Sequence, residues 1–150
     1  GLIACCDIAI GVESAKFSLS EVKLGLAPAV ISPYVVAAIG QRHARRMFLT
    51  AEVFAADAAL RIGLLHECVA ASELDAAVER SLHWIGKGGP IAQHEAKQLA
   101  LRMSGMTRES AEKIDRENAS LIARLRVSSE GQHGIRAFLD KSRPSWSGGE

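Results

Sequence analysis

The segment of residues 17–28, FSLSEVKLGLAP, most limits how this chain can fold, because a glycine and a proline interrupt its apolar loop. It is predicted to form short extended runs, in which Lys23 faces the same side as Glu21. Most other acidic residues lie in helical patterns with lysines or arginines nearby. The placement of Glu21 therefore suits a carboxylate held against a substrate. The alternative interpretation of Glu21 is an exposed acid in a loop.

Length and composition exclude several classes of protein. A chain of 150 residues with 48% apolar residues is long enough to bury the core of one domain. Its formal net charge of +1 favours no nucleic-acid partner, and no apolar run reaches the ~18 residues of a membrane helix. The three cysteines fit neither a disulfide framework nor a zinc site, which favours a reducing, cytoplasmic setting. His66 and Cys68 have no partners at ligand spacing and are predicted to be structural.

Short helices and strands are predicted to alternate over the first seventy residues. Residues 2–6 have the pattern of a buried helix end, and residues 8–10 that of the start of a buried strand. Asp7, between them, is predicted to be a structural carboxylate bound by backbone donors. The remaining predictions are a strand over 15–19, helices over 34–39, 44–49 and 51–62, and a strand over 64–69. Gly40 separates the first two of these helices, and Gly63 ends the third.

The rest of the chain is predicted to be helical. The expected helices cover residues 72–85, residues 90–103, residues 108–127, and Ser129 to a point before Pro144. Capping boxes are predicted to start the first and the last of them, with Ser72 paired to Asp75 and Ser129 paired to Gln132. The stripe expected to be buried in the first helix consists of Leu74, Ala77, Val78, Leu82 and Ile85.

Three segments of the chain resemble one enzyme family. They are CDIAIGVESAKFSLSEVKLGLAP at residues 6–28, LTAEVFAADAALRIGLLHECV at residues 49–69, and EGQHGIRAFLDKSRPSW at residues 130–146. In order and spacing they are similar to the crotonase, or enoyl-CoA hydratase/isomerase, superfamily. The variant SEVKLGLAPAVISPYV looks most like bacterial hydratases of branched glutaconyl-CoA thioesters, such as 3-methylglutaconyl-CoA hydratase.

This resemblance implies an α/β fold of crotonase type. Residues 1–70 would be the C-terminal half of the spiral ββα core with the catalytic glutamate loop, and residues 71–150 a mainly α-helical oligomerisation region. In the family that region builds trimers and dimers of trimers, so a homo-oligomer is expected. The chain opens directly on an apolar run, which predicts that the N-terminal half of the family fold is absent. Because both oxyanion-hole donors would lie in that half, we expect residues 1–150 alone to be inactive.

The resemblance also implies a reaction. Family hydratases add water to an α,β-unsaturated acyl-CoA thioester, using one or two glutamates and a backbone oxyanion hole. Glu21 matches the second glutamate position, whereas Gly1 occupies the first. A single base also suits a Δ3-Δ2 enoyl-CoA isomerase, and the missing glutamate leaves open a non-catalytic oligomeric subunit. No cofactor or metal is implied, since CoA enters as part of the acyl-CoA substrate.

Four further positions match substrate-binding positions of the family. Phe138 would stack on the CoA adenine, and Lys141 would lie near the CoA phosphates, often across a subunit boundary. Pro28 and Ala29 would belong to the substrate loop, where the Ala29 N–H would hold the attacking water. The alternatives are a core residue for Phe138 and an ordinary helix-terminal lysine for Lys141.

Overall fold

A computed structural model describes residues 1–104 and 108–146. The α-helices are α1 (Leu2–Cys5), α2 (Ser32–Thr50), α3 (Ala56–Arg61), α4 (Leu74–Ile85), α5 (Pro90–Met103), α6 (Arg108–Val127) and α7 (Ser129–Leu139). The strands are β1 (Ile10–Val12), β2 (Lys16–Phe17), β3 (Phe54–Ala55) and β4 (Glu67–Val69), and 3₁₀ helices cover Glu21–Leu24 and Ala71–Glu73. No helix among these residues is both long enough and apolar enough to cross a membrane.

Two small sheets organise the first part of the chain. β1 pairs in parallel with β4, in the register Ile10 to Glu67. Parallel strands need a long crossover, which here contains α2 and α3. β2 pairs antiparallel with β3, and the rings of Phe17 and Phe54 stack with their centroids 5.6 Å apart. The segment before Glu21 is thereby fixed to the core.

The core lies between these strands and α2 and α3. Its buried members are Ala9, Val35, Ile39, Ala44, Met47, Phe54, Ala56, Ala59 and Leu65. Many of them are alanines, whose small side chains let helices and strands approach one another closely. Such close packing gives the rigid support that a site on a neighbouring loop requires.

The predicted helix over residues 51–62 is wrong in its first half. Ala51 ends α2 with a left-handed φ of 46°, and the next residues form β3 before α3 begins. The apolar spacing fitted a helix, but the pairing of Phe54 with Phe17 selects a strand. The break at Gly40 is confirmed, since this residue has φ 73° and ψ 157° within α2. Gly63, with φ 85°, lies just beyond α3.

At the start of the chain the predicted helix is present, but the prediction that it is buried is wrong. Leu2 is 87% exposed, and the strand begins at Ile10 rather than at residue 8. Asp7 is exposed and pairs with the Lys97 ammonium, with 2.6 Å between Oδ2 and Nζ, instead of binding backbone donors. The structural role predicted for His66 is confirmed, because its Nδ1 accepts a 3.1 Å hydrogen bond from the Ala9 N–H.

The four helices predicted after residue 70 are present, but both predicted capping boxes are wrong. Ser72 lies within the 3₁₀ helix, and the side chain of Glu73, the N-cap of α4, makes no capping hydrogen bond. In α7 the cap is Ser128, one residue earlier than predicted, and its Oγ accepts the Gly131 N–H at 3.0 Å. The stripe on α4 is also largely exposed: Ala77 is buried, whereas Leu82 is 51% exposed.

Candidate active site

Glu21 begins a 3₁₀ helix, so the prediction of an extended run is wrong at this point. The helix ends at Gly25, whose φ of 69° lies in the left-handed region that favours glycine. The Leu26 N–H closes the turn by donating to the Glu21 carbonyl oxygen at 3.1 Å. We call the segment Glu21–Leu24, together with Gly25, the catalytic turn, after the role that the family resemblance implies for Glu21.

The turn separates Glu21 from Lys23. With three residues in each turn of a 3₁₀ helix, side chains two residues apart point to different faces. The expectation that Lys23 shares a side with Glu21 is therefore wrong. Lys23 instead lines an open groove of about 580 Å³, together with Arg143 and Trp146.

The Glu21 carboxylate is partly buried. Its Oε2 is buried and has no hydrogen-bond partner among the residues described. An unsatisfied buried polar group costs roughly 1–3 kcal/mol, so each such group calls for an explanation. A buried acceptor without a protein partner can take a hydrogen bond or a proton from a bound molecule.

Two helices, α2 and α7, contact the catalytic turn. The approach of α7 is so close that a Cβ at Gly134 would lie 2.6 Å from the Leu24 carbonyl carbon. From the turn toward α7, a Cβ at Gly25 would lie 2.9 Å from the Glu130 carbonyl oxygen. Both glycines therefore allow backbone to pack directly against backbone, and α7 holds the turn as a clamp.

Gly1, which the resemblance places at the first glutamate position of the family, packs against Ile31. A Cβ at Gly1 would lie 2.6 Å from Ile31 Cγ2. Next to Gly1 is a mainly apolar cavity of about 240 Å³, whose walls include Phe17, Leu19 and Val35. This side of the site is therefore apolar, and Ile31 occupies the space that a larger side chain at Gly1 would need.

Pro28 and Ala29 are both buried in the loop after the catalytic turn. The Ala29 N–H, predicted to hold the attacking water, donates to the Ala27 carbonyl oxygen at 2.8 Å. A water could bind this N–H only if the Ala27 contact opened. The substrate-binding roles of Pro28 and Ala29 remain predictions.

Phe138 and Lys141 lie together at the end of α7. Phe138 is 66% exposed, which excludes the alternative of a core residue in this chain and leaves its ring free to stack. Lys141 is exposed and has a left-handed φ of 52°, and its N–H donates to the Phe138 carbonyl oxygen at 3.2 Å. Their roles at the CoA adenine and phosphates remain predictions.

Periodicity and spacing did not predict the glycine contacts that hold the catalytic turn. Gly134 of α7 lies against the Leu24 carbonyl group of the turn, whereas Gly131, three residues earlier, lies against the Leu125 carbonyl group. The available signal was the glycine at position 134 inside the predicted helix, since a glycine there allows another backbone to approach closely. Within residues 1–104 and 108–146, no three His, Cys, Asp or Glu side chains are grouped to hold a metal ion.

The family follows from a comparison with known proteins. The model of the enoyl-CoA hydratase/isomerase family matches residues 1–149. This chain belongs to that family. Crotonase-fold membership, expected from the three sequence segments, is thus confirmed, while the closeness to 3-methylglutaconyl-CoA hydratases remains a prediction.

Proteins similar to this chain include named enzymes and proteins with solved crystal structures. The crotonyl-CoA hydratase of Syntrophomonas wolfei is 29% identical over 146 residues, covering 97% of this chain and 55% of the relative. The crystal structure of an enoyl-CoA hydratase from Mycobacterium avium superposes with a TM-score of 0.83 at 35% identity, covering 97% and 56% of the two chains. A Legionella pneumophila protein, proposed to be an enoyl-CoA hydratase/isomerase (crotonase), is 48% identical with a TM-score of 0.66, covering 97% and 55%. The chain therefore spans about half the length of the relatives it matches.

Proposed function

We propose that Glu21 is the catalytic base of an enoyl-CoA hydratase, a carbon–oxygen lyase that adds water to an α,β-unsaturated acyl-CoA thioester. The observation that carries this proposal is the buried Glu21 Oε2 without a hydrogen-bond partner among the described residues. Family membership supports the reaction class. The catalytic turn, which α2 and α7 contact, contributes one carboxylate. An acceptor left open in this way can take a hydrogen bond from a bound water, as the base assignment requires.

In the proposed mechanism one carboxylate does two jobs in turn. Glu21 takes a proton from water while the water oxygen bonds to the β-carbon and the π electrons move toward the thioester oxygen. Backbone N–H groups of the family's oxyanion hole would stabilise that negative charge. Glu21 then returns the proton to the α-carbon, which restores the carboxylate and leaves a 3-hydroxyacyl thioester. Because the same group serves both carbons, hydroxyl and hydrogen add to the same face.

The surroundings of Gly1 support a single-carboxylate site. Ile31 presents an apolar methyl group where the side chain of a first glutamate would begin. A charged carboxylate there would meet apolar neighbours, which disfavour the ionised form. The space is therefore unsuited to a second carboxylate, and Glu21 would carry out both proton transfers.

A double-mutant cycle tests this packing. Gly1→Glu is expected to lower the free energy of unfolding by about 1–3 kcal/mol, because the new side chain overpacks against Ile31. In an Ile31→Ala background the same substitution should cost less, with a coupling energy of about 0.5–3 kcal/mol. Urea unfolding of the parent, both single variants and the double variant measures the coupling. Strictly additive costs would show that Gly1 and Ile31 do not share this space.

Isomerisation is the alternative within the same family, since one base suffices to move a proton between carbons. Hydration and isomerisation can be separated with a β,γ-unsaturated acyl-CoA. An isomerase converts it to the α,β-unsaturated thioester, whereas a hydratase consumes α,β-unsaturated substrate and forms a 3-hydroxyacyl product. Chromatographic analysis of products from both substrates decides between the two activities.

We propose a branched glutaconyl-CoA as the preferred substrate. The supporting feature is the segment SEVKLGLAPAVISPYV, residues 20–35, which follows the pattern of hydratases of that substrate class. Comparing kcat/KM for 3-methylglutaconyl-CoA and crotonyl-CoA tests it: the branched dicarboxylic substrate should be favoured. Equal values, or a preference for crotonyl-CoA, would exclude this specificity.

We also propose that the protein assembles as a trimer or a dimer of trimers. Several large apolar residues of α4 and α5 are exposed in this chain, among them Leu82 at 51% and Ile91 at 80%. Exposed apolar area on this scale is typical of surfaces that another element or subunit covers. Analytical ultracentrifugation would test the assembly, and a monomer at micromolar concentration would contradict it.

A further inference from the structure

The chain folds back on itself after α7. Lys141 makes the reversal with its left-handed φ of 52°, and the Ser142 N–H donates to the Ala137 carbonyl oxygen at 2.8 Å. Farther along, the Ser145 N–H donates to His133 Nε2 at 3.0 Å. The next residue, Trp146, contacts the same imidazole edge to face, with ring centroids 5.3 Å apart and planes at 66°.

This folded-back segment reaches the catalytic turn. A Cβ at Gly134 would lie 2.6 Å from the Leu24 carbonyl carbon and 3.0 Å from Trp146 Cη2. The indole and the turn therefore meet at the same point on α7. Trp146 also lines the groove that Val22 and Lys23 border. The turn is thus supported by α2 and α7, with the indole ring beside it.

We propose that Trp146, held in place by His133, is a positioning residue for the Glu21 carboxylate. The inference rests on the proposed function of Glu21. Because Glu21 Oε2 has no hydrogen-bond partner among the described residues, no hydrogen bond of that oxygen fixes its position. Its place depends on the backbone of the turn, and the turn depends on what packs against it. A displacement of about 1 Å in a reacting group can cost roughly 10²-fold in rate.

The test compares four variants of the full-length protein. Trp146→Ala removes the support, and His133→Leu removes the acceptor for Ser145. His133→Gln keeps an acceptor, since the amide Oε1 can reach a position similar to that of Nε2. Leu60→Ala, which shortens a 40% exposed apolar side chain on α3, is the control.

Trp146→Ala and His133→Leu are expected to lower kcat for hydration by about 10- to 100-fold while KM changes little, because the turn shifts but the binding surface remains. His133→Gln should recover most of that loss, and Leu60→Ala should match the parent. Hydrogen exchange at the Leu26 amide, which closes the turn, should be faster in Trp146→Ala. Parent-like kcat in Trp146→Ala, or equal losses in His133→Leu and His133→Gln, would overturn the positioning role.

Glu21→Gln, measured in the same series, separates the two proposals. If Glu21→Gln is inactive and Trp146→Ala retains full activity, positioning fails while the base assignment stands. If Glu21→Gln is as active as the parent, the assignment of Glu21 fails, and with it the inference that rests on it.

Discussion

Glu21→Gln is expected to lower kcat for hydration by about 10²–10⁴-fold, the range in which a general base contributes. The amide has nearly the same shape as the carboxylate but cannot take a proton from water. Since Oε2 makes no hydrogen bond within the described residues, the substitution breaks no hydrogen bond of that atom and the fold should persist. Loss of enoyl-thioester absorbance, followed with saturating crotonyl-CoA or 3-methylglutaconyl-CoA, measures kcat.

The control for Glu21→Gln is Glu13→Gln. Glu13 is an exposed acid between β1 and β2, so its substitution removes the same charge away from the catalytic turn. It should leave kcat unchanged. Circular dichroism and the melting temperature should be close to those of the parent for both variants. A Glu21→Gln protein that hydrates substrate at the parent rate would remove Glu21 from the mechanism.

Gly134→Ala is expected to destabilise the protein by about 1–2 kcal/mol, although alanine is the better helix former by about 1 kcal/mol. Helix propensity alone predicts the opposite sign. The reason for the loss is that the new Cβ would clash with the Leu24 carbonyl group, and backbone cannot move aside as a flexible side chain can. Urea unfolding measures the change in free energy. Because Leu24 belongs to the catalytic turn, kcat should fall as well.

Gly86→Ala is the matched control for Gly134→Ala. Gly86 follows α4 with a helical φ of −63°, and a Cβ there would make ordinary contact, 3.4 Å from the Leu82 carbonyl oxygen. Without a clash, reduced entropy of the unfolded chain should stabilise the protein by about 0.4–1 kcal/mol. If both substitutions stabilise the protein, α7 does not clamp the turn as closely as the structure shows.

Local signals in the sequence predicted much of the fold. The break at Gly40, the start of α5 at Pro90 and the four later helices all follow from residue types that fix backbone geometry or from long apolar periodicity. The elements that were predicted wrongly depend on contacts between residues distant in the sequence. Phe54 belongs to a strand because it pairs with Phe17, and no local pattern encodes that choice.

In the candidate site, too, the features set by long-range contacts were not predicted. The resemblance located Glu21, but the sequence alone did not give its 3₁₀ conformation, which separates it from Lys23. It also did not show that Ile31 packs against Gly1 or that Trp146 folds back beside the turn, because both contacts join residues that are distant in the sequence. Such contacts are set by tertiary packing, which periodicity and spacing do not report.

The central claim is that one carboxylate, Glu21, handles both the water proton and the α-carbon proton. The most direct test incubates Glu21→Gln and the parent with butyryl-CoA in D₂O and follows deuterium at the α-carbon, beside hydration of crotonyl-CoA. Butyryl-CoA has an α-proton but no double bond to hydrate, so it reports the α-carbon step alone. The parent should catalyse both reactions, and Glu21→Gln should lose both. Parent-rate deuterium exchange in a Glu21→Gln protein that no longer hydrates crotonyl-CoA would show that a second group serves the α-carbon and would contradict the single-carboxylate mechanism.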